Sequence, residues 1–365
     1  MRVLFFDSSD DVAGSARAFL SAARALARRE HAVTLACSAS SEMEALATAA
    51  GVHVVPVPRD GSTAGDAWRL REVLKEKFIE AAFVQSERDQ LAVASAMRLA
   101  ERGAVIRRIG AGAGFESSRT GRFASMMATA RVMFSSEAEA EAARRNGLKL
   151  PAVVAPLGVD VADYEAVEPL TRKALRIHES GGLIACVYEP SARGRLITAM
   201  RAMALLAPRH PHLHLAIVGR GSEDQELKMH AAALGITGVV SHLGLSVDPR
   251  ALVAAADLVW VAANCDAAAF GYLDAMALRK AVIADRGPLA AHYVADGITG
   301  CLVPPADSAE TAALVASFLA RDELRQAMGN AARARVAREF REEVMAEGFE
   351  RAAQAAGDRA TWAGT

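Results

Sequence analysis

The stretch LHLAIVGRG, residues 213–221, decides the fold of this chain. A short apolar run that ends in glycines is typical of a strand buried on both faces of a parallel sheet. Apolar residues then recur with helical spacing near 223–234, and Ser222 and Gln225 have the spacing of a capping box at a helix start. A buried strand, a glycine turn and an amphipathic helix together form the repeating unit of α/β proteins.

The same strand–helix unit recurs on both sides of this stretch. Further strands are predicted at Val3–Phe6, Ala32–Cys37, Val54–Val57, Ala82–Val84, Val105–Arg108, Val132–Ser135, Ala152–Ala155, Leu183–Val187, Val239–Leu243, Leu258–Ala263 and Ala281–Ala284. Helices are predicted near Arg195–Leu206, from about Gly271, and over Ala309–Ala320, Asp322–Glu339 and Arg341–Ala355. This alternation predicts an α/β protein made of doubly wound, Rossmann-like domains with parallel sheets.

A break in the pattern predicts the domain boundary. The chain has 365 residues, which is long for one core and suits two domains. The strand–helix alternation stops at PLGVD, residues 156–160, and no strand follows until about residue 183. We therefore expect an N-terminal domain over 1–160, a C-terminal domain over 161–340 and a last helical segment over 341–365. Two such domains joined by a hinge are expected to face each other across a ligand cleft at the carboxyl ends of both sheets.

Composition excludes several classes of function. The formal net charge of −1 gives no sign of the basic face that a nucleic-acid partner requires. The four cysteines are widely spaced and form no CxxC pair, so buried free thiols in a reducing compartment are expected. The first apolar run is too short for a signal peptide, and no run approaches the length of a membrane span. The sequence therefore predicts a cytoplasmic location.

Two glycine-containing segments have the chemistry of a phosphate site. Gly219 and Gly221 follow the buried strand, where backbone N–H groups can approach an anion, although a tight turn alone would also explain them. Gly271 is predicted to open a helix and to offer N–H donors to a diphosphate. Asp274, one turn later, would accept hydrogen bonds from ribose hydroxyls, and Asp266 in the preceding loop would reach a sugar. The alternative is that Asp266 solvates a loop and Asp274 caps the helix.

An ordered series of motifs from Pro156 to about Phe340 resembles the retaining nucleotide-sugar glycosyltransferases of family 4, which have the GT-B fold. The matching stretches are LAIVGRG at 215–221, LG at 243–244, AAADL at 254–258, FGYLDAMA at 270–277 and DGITGCLVPP at 296–305. The N-terminal half matches through its opening strand, a turn with Gly14 after residues 10–13, and the strand at 32–37.

The resemblance implies that a sugar moves from a nucleoside diphosphate sugar to an acceptor with retained anomeric configuration, without a metal or another cofactor. It implies catalytic roles for Asp266 and Arg193, with Asp266 on the transferred sugar and Arg193 on the diphosphate. The substrate-binding candidates are Gly14, Gly219, Gly221, Gly244, Phe270, Gly271, Tyr272, Asp274, Tyr188, Arg107 and Arg108. The last helix is expected to cross back to the N-terminal domain, as is usual in this fold.

Several positions depart from the family pattern. Aspartates stand where two glutamates are common, and Tyr188 and Arg193 stand where an arginine and a lysine neutralise the diphosphate. Arg193 can still bind phosphate bidentately, whereas Tyr188 supplies only a hydroxyl. Arg107 and Arg108 occupy the region of the family's acceptor-side histidine and are expected either to touch an anionic acceptor or to form a solvated strand end.

Three functions stay open at this point. The first is a glycosyltransferase that acts on a glycan, a lipid-linked or a small-molecule acceptor, with no nucleic-acid partner and with peripheral membrane contact compatible with the sequence. The second is a catalytically degenerate GT-B protein that binds a nucleotide or glycan, or serves an active transferase as a partner subunit. The third is a GT-B enzyme of another reaction, such as an epimerase or a phosphorylase.

Overall fold

The computed structural model describes residues 1–9, 14–58, 61–115 and 118–357. The chain divides into two compact units. Unit 1 combines Met1–Gly158 with the C-terminal segment from Glu342, and unit 2 spans Val159–Arg341. No helix in the described ranges is long and apolar enough to cross a membrane.

Unit 1 is built on a seven-stranded parallel sheet with the order β3-β2-β1-β4-β5-β6-β7. Its elements are β1 (Arg2–Asp7), α1 (Gly14–Arg28), β2 (Ala32–Ser38), α2 (Glu42–Ala49), β3 (His53–Val57), α3 (Thr63–Glu76), β4 (Ala81–Val84), α4 (Glu87–Ala100), β5 (Ala104–Arg108), α5 (Arg119–Met127), β6 (Thr129–Phe134), α6 (Glu137–Arg145) and β7 (Ala152–Val154). The central strands β1 and β4 are buried along almost their whole length, because helices cover both faces of the sheet.

Unit 2 is built on a six-stranded parallel sheet with the order β10-β9-β8-β11-β12-β13. Its elements are β8 (Leu183–Tyr188), α7 (Arg193–Leu206), β9 (His214–Val218), α8 (Gln225–Ala233), β10 (Val240–His242), α9 (Pro249–Ala255), β11 (Leu258–Ala262), α10 (Cys265–Ala277), β12 (Val282–Asp285), α11 (Pro288–Tyr293), β13 (Gly300–Val303), α12 (Ser308–Leu319) and α13 (Asp322–Glu339). The strand order reverses between β8 and β11, which makes this pair the topological switch point of the sheet.

The last helix, α14 (Glu342–Gly357), packs on the sheet of unit 1. The ring of Phe349 lies 5.8 Å from that of Phe5 and 4.9 Å from that of Phe83, measured between centroids. At the start of the helix, the buried Glu342 carboxylate accepts hydrogen bonds from Arg24 at 2.8 Å and from Arg28 at 2.9 Å. An aromatic cluster and a charged anchor thus join the two ends of the chain within one core.

The predicted α/β class with two doubly wound, Rossmann-like sheets is confirmed. Two local predictions are wrong, and one strand was not predicted. Helix α10 begins at Cys265 and not at Gly271, and α8 begins at Gln225 with Asp224 at its N-cap, so Ser222 caps nothing. The buried Ser222 hydroxyl instead accepts a hydrogen bond from the Gly244 N–H at 2.9 Å. Strand β13 was not predicted, because its four residues lie inside a glycine-rich motif that is typical of a loop.

Candidate functional site

The switch point of unit 2 brings two loops together at the carboxyl edge of the sheet. Tyr188 ends β8 and pairs in register with Ala262 at the end of β11. In the following loops, the Asn264 N–H donates to the Glu189 carboxylate at 3.2 Å, and the Asn264 side-chain amide donates to the Ser191 hydroxyl at 3.0 Å. Ligands of open α/β sheets bind at this point, so the two loops are the first candidates for ligand contact.

Helix α10 starts beside these loops and directs the positive end of its dipole toward the carboxyl edge. Asn264 is its N-cap residue, and its side chain makes no capping bond because it is engaged with Ser191. Asp266 lies in the first turn of the helix and is buried, with 2% of its surface exposed. The prediction that Asp266 lies in a preceding loop is therefore wrong, and so is the alternative that it merely solvates a loop.

Gly271 has a packing role in this structure. It is buried in the middle of α10, where its N–H belongs to the internal hydrogen-bond ladder of the helix. A Cβ at this position would lie 3.0 Å and 3.3 Å from the two γ-carbons of Val261 on β11. The absence of a side chain thus allows α10 to lie close on the sheet. The prediction that Gly271 opens the helix is wrong, and its neighbours Phe270 and Tyr272 are buried as well.

Asp274 lies near the other end of α10, eight residues after Asp266, which corresponds to about 12 Å along the helix axis. Its carboxylate is buried, and Oδ1 accepts a hydrogen bond from the Tyr164 hydroxyl at 2.5 Å. Tyr164 ends a 3₁₀ turn at the start of unit 2. A tyrosine hydroxyl therefore contacts the carboxylate that was predicted to receive ribose hydroxyls, and the alternative that Asp274 caps a helix start is wrong.

The structure brings Tyr188, Arg193 and the predicted glycines together on the β8–β9 side of the edge. A Cβ at Gly219 would collide with the carbonyl oxygen of Tyr188, and one at Gly221 would lie 3.1 Å from Pro190. The Gly219 N–H donates to the Gly244 carbonyl at 2.8 Å. These glycines therefore serve the close approach of backbone segments.

Tyr188 and Arg193 differ in how accessible they are. Burial raises the pKa of the Tyr188 hydroxyl, and the neighbouring Arg193 guanidinium opposes that shift. The Arg193 side chain is 41% exposed and pairs with the exposed Glu226 at 2.6 Å. An incoming anion could displace this exposed partner, because surface ion pairs are weak.

Arg195 is a member of the edge that the sequence analysis missed. Its Nε lies 3.2 Å from Oδ2 of Asp285, and its Nη1 donates to the carbonyl of Ala263 in the loop before α10. Asp285 ends β12 and is almost fully buried, and within the described ranges its Oδ1 has no hydrogen-bond partner. Burial raises the pKa of this carboxyl, and Arg195 counteracts the effect. The pair holds a guanidinium close to the start of α10.

The Arg195–Asp285 pair also faces Tyr272. Burial raises the pKa of the Tyr272 hydroxyl to about 12, and Arg195 and Asp285 are its charged neighbours. A signal for Arg195 was present in the sequence, because it stands two residues after Arg193 in the segment RGR that opens α7.

In the described part of the chain, no three His, Cys, Asp or Glu side chains come together in a way that could hold a metal ion.

The two arginine candidates in unit 1 are neighbours on β5 but have different hydrogen-bond partners. Arg107 donates to Glu87 and to Gln90, each at 3.2 Å, and Arg108 donates to Gln85 at 2.8 Å. Arg108 is only 1% exposed, so the alternative of a solvated strand end is wrong for this residue. Gly14 is the buried first residue of α1, and the preceding residues 10–13 lie outside the described ranges.

Two parallel, doubly wound sheets in these orders define a GT-B glycosyltransferase fold, and solved structures agree. The crystal structure of Anabaena Alr3699/HepE in complex with UDP and glucose superposes with a TM-score of 0.82 at 19% identity, covering 97% of this chain and 100% of that one. Sucrose-phosphate synthase from Thermosynechococcus elongatus superposes with a TM-score of 0.75 at 16% identity, covering 96% and 98%. The predicted fold is thereby confirmed.

A family match covers most of unit 2. Residues 168–335 match the model of the family Glycosyl transferases group 1. Phosphatidyl-myo-inositol mannosyltransferase of Mycolicibacterium smegmatis is 35% identical over 179 residues, which cover 48% of this chain and 44% of that protein. Putative glycosyltransferase EpsD of Bacillus subtilis is 24% identical over 181 residues, which cover 48% of each. The chain thus spans about half the length of the curated relatives it matches.

Proposed function

We propose that the chain transfers a sugar from a nucleoside diphosphate sugar to an acceptor, and that the diphosphate binds at the carboxyl edge of the unit 2 sheet. The observation that carries this proposal is the start of α10 beside the Arg195 guanidinium, which Asp285 holds in place. Helix N-termini and guanidinium groups both present hydrogen-bond donors that suit phosphate groups. Similarity to a protein crystallised with UDP and glucose and to a mannosyltransferase supports this assignment.

The proposal gives each aspartate of α10 a role. Asp266, in the first turn, contacts the transferred sugar near the diphosphate. Asp266 and Arg193 are the two proposed catalytic residues. Asp274 receives the ribose hydroxyls, and on binding these replace the Tyr164 hydroxyl as hydrogen-bond donors. Arg193 exchanges its exposed partner Glu226 for a phosphate oxygen. The acceptor is a glycan, a lipid-linked compound or a small molecule.

The reaction is proposed to proceed with retention and without a metal ion. Arg193, Arg195 and the α10 dipole together supply positive charge where the leaving diphosphate develops negative charge, which is the task that a divalent cation performs in other transferases. If this is correct, EDTA leaves the transfer rate unchanged, and proton NMR of the first product shows the anomeric configuration of the donor. A rate that collapses with EDTA and returns with Mg²⁺ or Mn²⁺ would refute metal independence.

The donor assignment is tested with a panel of radiolabelled UDP-, GDP- and ADP-sugars, by calorimetry and by product analysis. Arg195→Ala is expected to weaken binding of the preferred donor by about 10- to 150-fold, because a hydrogen bond to a charged group contributes about 1.5–3 kcal/mol. Arg201→Ala, an exposed position on the same helix, is the matched control and should leave binding unchanged. No binding of any nucleotide sugar at millimolar concentration would remove the proposal.

A second function is favoured by the departures from the family pattern. Tyr188 is buried where a cation is common, and the Asp274 carboxylate is occupied by Tyr164. A protein that binds a nucleotide sugar or glycan without transferring it, as the partner subunit of an active enzyme, would tolerate both features. Tight donor binding with neither transfer nor hydrolysis would favour this function, whereas turnover that Asp274→Ala abolishes would exclude it.

A further inference from the structure

Unit 1 contains a cavity of about 510 Å³ that none of the proposed donor-binding residues lines. It lies between helix α5 and the loop that joins α6 to β7, and we call it the α5 pocket. It is lined by Arg107, Phe115, Ser118, Gly121, Arg122, Ser125, Met126, Val132, Asn146, Gly147, Leu148, Lys149 and Leu150. Its volume is in the range of small-molecule sites, which are mostly apolar with a few polar groups.

The interior of the α5 pocket is apolar. Val132 of β6 is buried, and Phe115, Leu148 and Leu150 are partly buried against the same hydrophobic cluster. The Phe115 ring lies edge-on to Phe134 of that cluster, with centroids 6.5 Å apart. Hydrocarbon in this cavity would therefore contact side chains that the core already holds in place.

Apolar surface continues from the pocket along helix α5. Met126 lines the pocket and is 85% exposed, and Phe123, one turn before it, is 59% exposed. Residues three positions apart on a helix are neighbours on its surface, so Phe123 and Met126 together add exposed apolar surface next to the cavity. A hydrocarbon chain longer than the pocket would find contact surface where it leaves.

The polar part of the lining is cationic. Arg107, Arg122 and Lys149 line the pocket, and no aspartate or glutamate is among the described residues that do so. Arg107 forms an ion pair with Glu87 at 3.2 Å, whereas the exposed Lys149 makes no ion pair with a described residue. An apolar cavity whose described lining carries cations and no carboxylate matches a ligand with a hydrocarbon body and one anionic group.

We propose that the α5 pocket binds a single-chain anionic amphiphile, with its hydrocarbon against Phe115, Val132 and Leu148 and its phosphate or carboxylate against Arg122 and Lys149. None of the residues that line it is among those assigned to the proposed donor site. The hydrocarbon contacts the apolar side chains and the anionic group contacts the cations, so the two contributions to binding can be measured separately.

The proposal is tested by calorimetry, in which monomeric decyl phosphate is added to the full chain. Decanol, decanoate and inorganic phosphate are the comparison ligands. Decyl phosphate and decanoate are expected to bind, decanol about tenfold more weakly, and inorganic phosphate not measurably. Comparable binding of decanol and decyl phosphate would overturn the role of the cations. Inorganic phosphate that binds as tightly as decyl phosphate would overturn the role of the cavity.

Two variants place the site. Lys149→Glu is expected to weaken decyl phosphate binding at least tenfold, while Arg145→Glu, the same charge change at an exposed position of α6, should change it less than twofold. Leu148→Ala reduces the apolar wall and is expected to weaken decyl phosphate and decanol alike. Thermal unfolding identifies any variant that has lost its fold. Equal effects of Lys149→Glu and Arg145→Glu would refute the site, as would binding to anionic vesicles without binding of monomeric decyl phosphate.

Discussion

The hydrogen bond between Tyr164 and Asp274 permits a sharp test of the donor site. Tyr164→Phe removes the hydroxyl that donates to a buried carboxylate at 2.5 Å and leaves the ring in place. A hydrogen bond to a charged group contributes about 1.5–3 kcal/mol, and the buried carboxylate loses a donor. We expect the free energy of unfolding of unit 2 to fall by about 2 kcal/mol.

The expected shift in melting temperature follows from the size of unit 2. Val159–Arg341 contains 341 − 159 + 1 = 183 residues. For a unit of this size, 1 kcal/mol corresponds to about 2–4 °C, so Tyr164→Phe should lower the midpoint of unit 2 by about 4–8 °C. Saturating nucleotide sugar should restore part of that loss, because ribose hydroxyls then take the place of the missing donor.

The assay is a double-mutant cycle of Tyr164→Phe with Asp274→Asn, followed by calorimetric unfolding with and without donor. Residues in direct hydrogen-bond contact should show a coupling energy of about 0.5–3 kcal/mol. Arg201→Ala controls for changes at an exposed position of the same unit. Additive effects of the two substitutions would refute the hydrogen bond, and a donor affinity that Asp274→Asn leaves unchanged would refute the ribose contact.

Two further predictions concern the same sheet edge. Burial raises the pKa of the Asp285 carboxyl, so ionisation of this group destabilises the folded state. This loss of stability develops as the pH rises from the ordinary carboxyl pKa through the raised pKa. Asp285→Asn should therefore unfold at a higher temperature than the parent at pH 7 and show no advantage at pH 3, while its donor affinity falls because Arg195 is no longer held. Gly271→Ala crowds Val261, which costs about 1–3 kcal/mol, against a helix-propensity gain of about 1 kcal/mol. Urea unfolding should show a net loss of about 1 kcal/mol, and a gain in stability would contradict the packing role of this glycine.

The sequence predicted the strands because most of them are continuous apolar runs between turn residues. The runs at 32–37 and 183–187 can be identified as strands without knowledge of their partner strands, because both of their faces are buried. Strand β13 was not predicted because its pairing with β12 decides its conformation, and its own four residues have little intrinsic preference for a strand.

The candidate site was less predictable, for two physical reasons. The start of α10 was placed six residues late, because CDAAAFG is apolar or small all round and has no periodic face; Asn264, a favourable N-cap residue, was the available signal. The pairing of Arg195 with Asp285, and of Tyr164 with Asp274, joins residues about 90 and 110 positions apart. Sheet order decides such pairs, and local patterns contain no information about them.

The position of α14 has a consequence for the biogenesis of the protein. Phe349 completes the aromatic cluster of Phe5 and Phe83, so the N-terminal core lacks a wall until this residue has been synthesised. Translation proceeds at about 5–20 residues per second, so that core waits roughly 10–40 s after residue 158 for its final helix. The contiguous segment of unit 2 is complete at Arg341, directly before α14, so the unit whose synthesis starts second is completed slightly before the unit whose synthesis starts first.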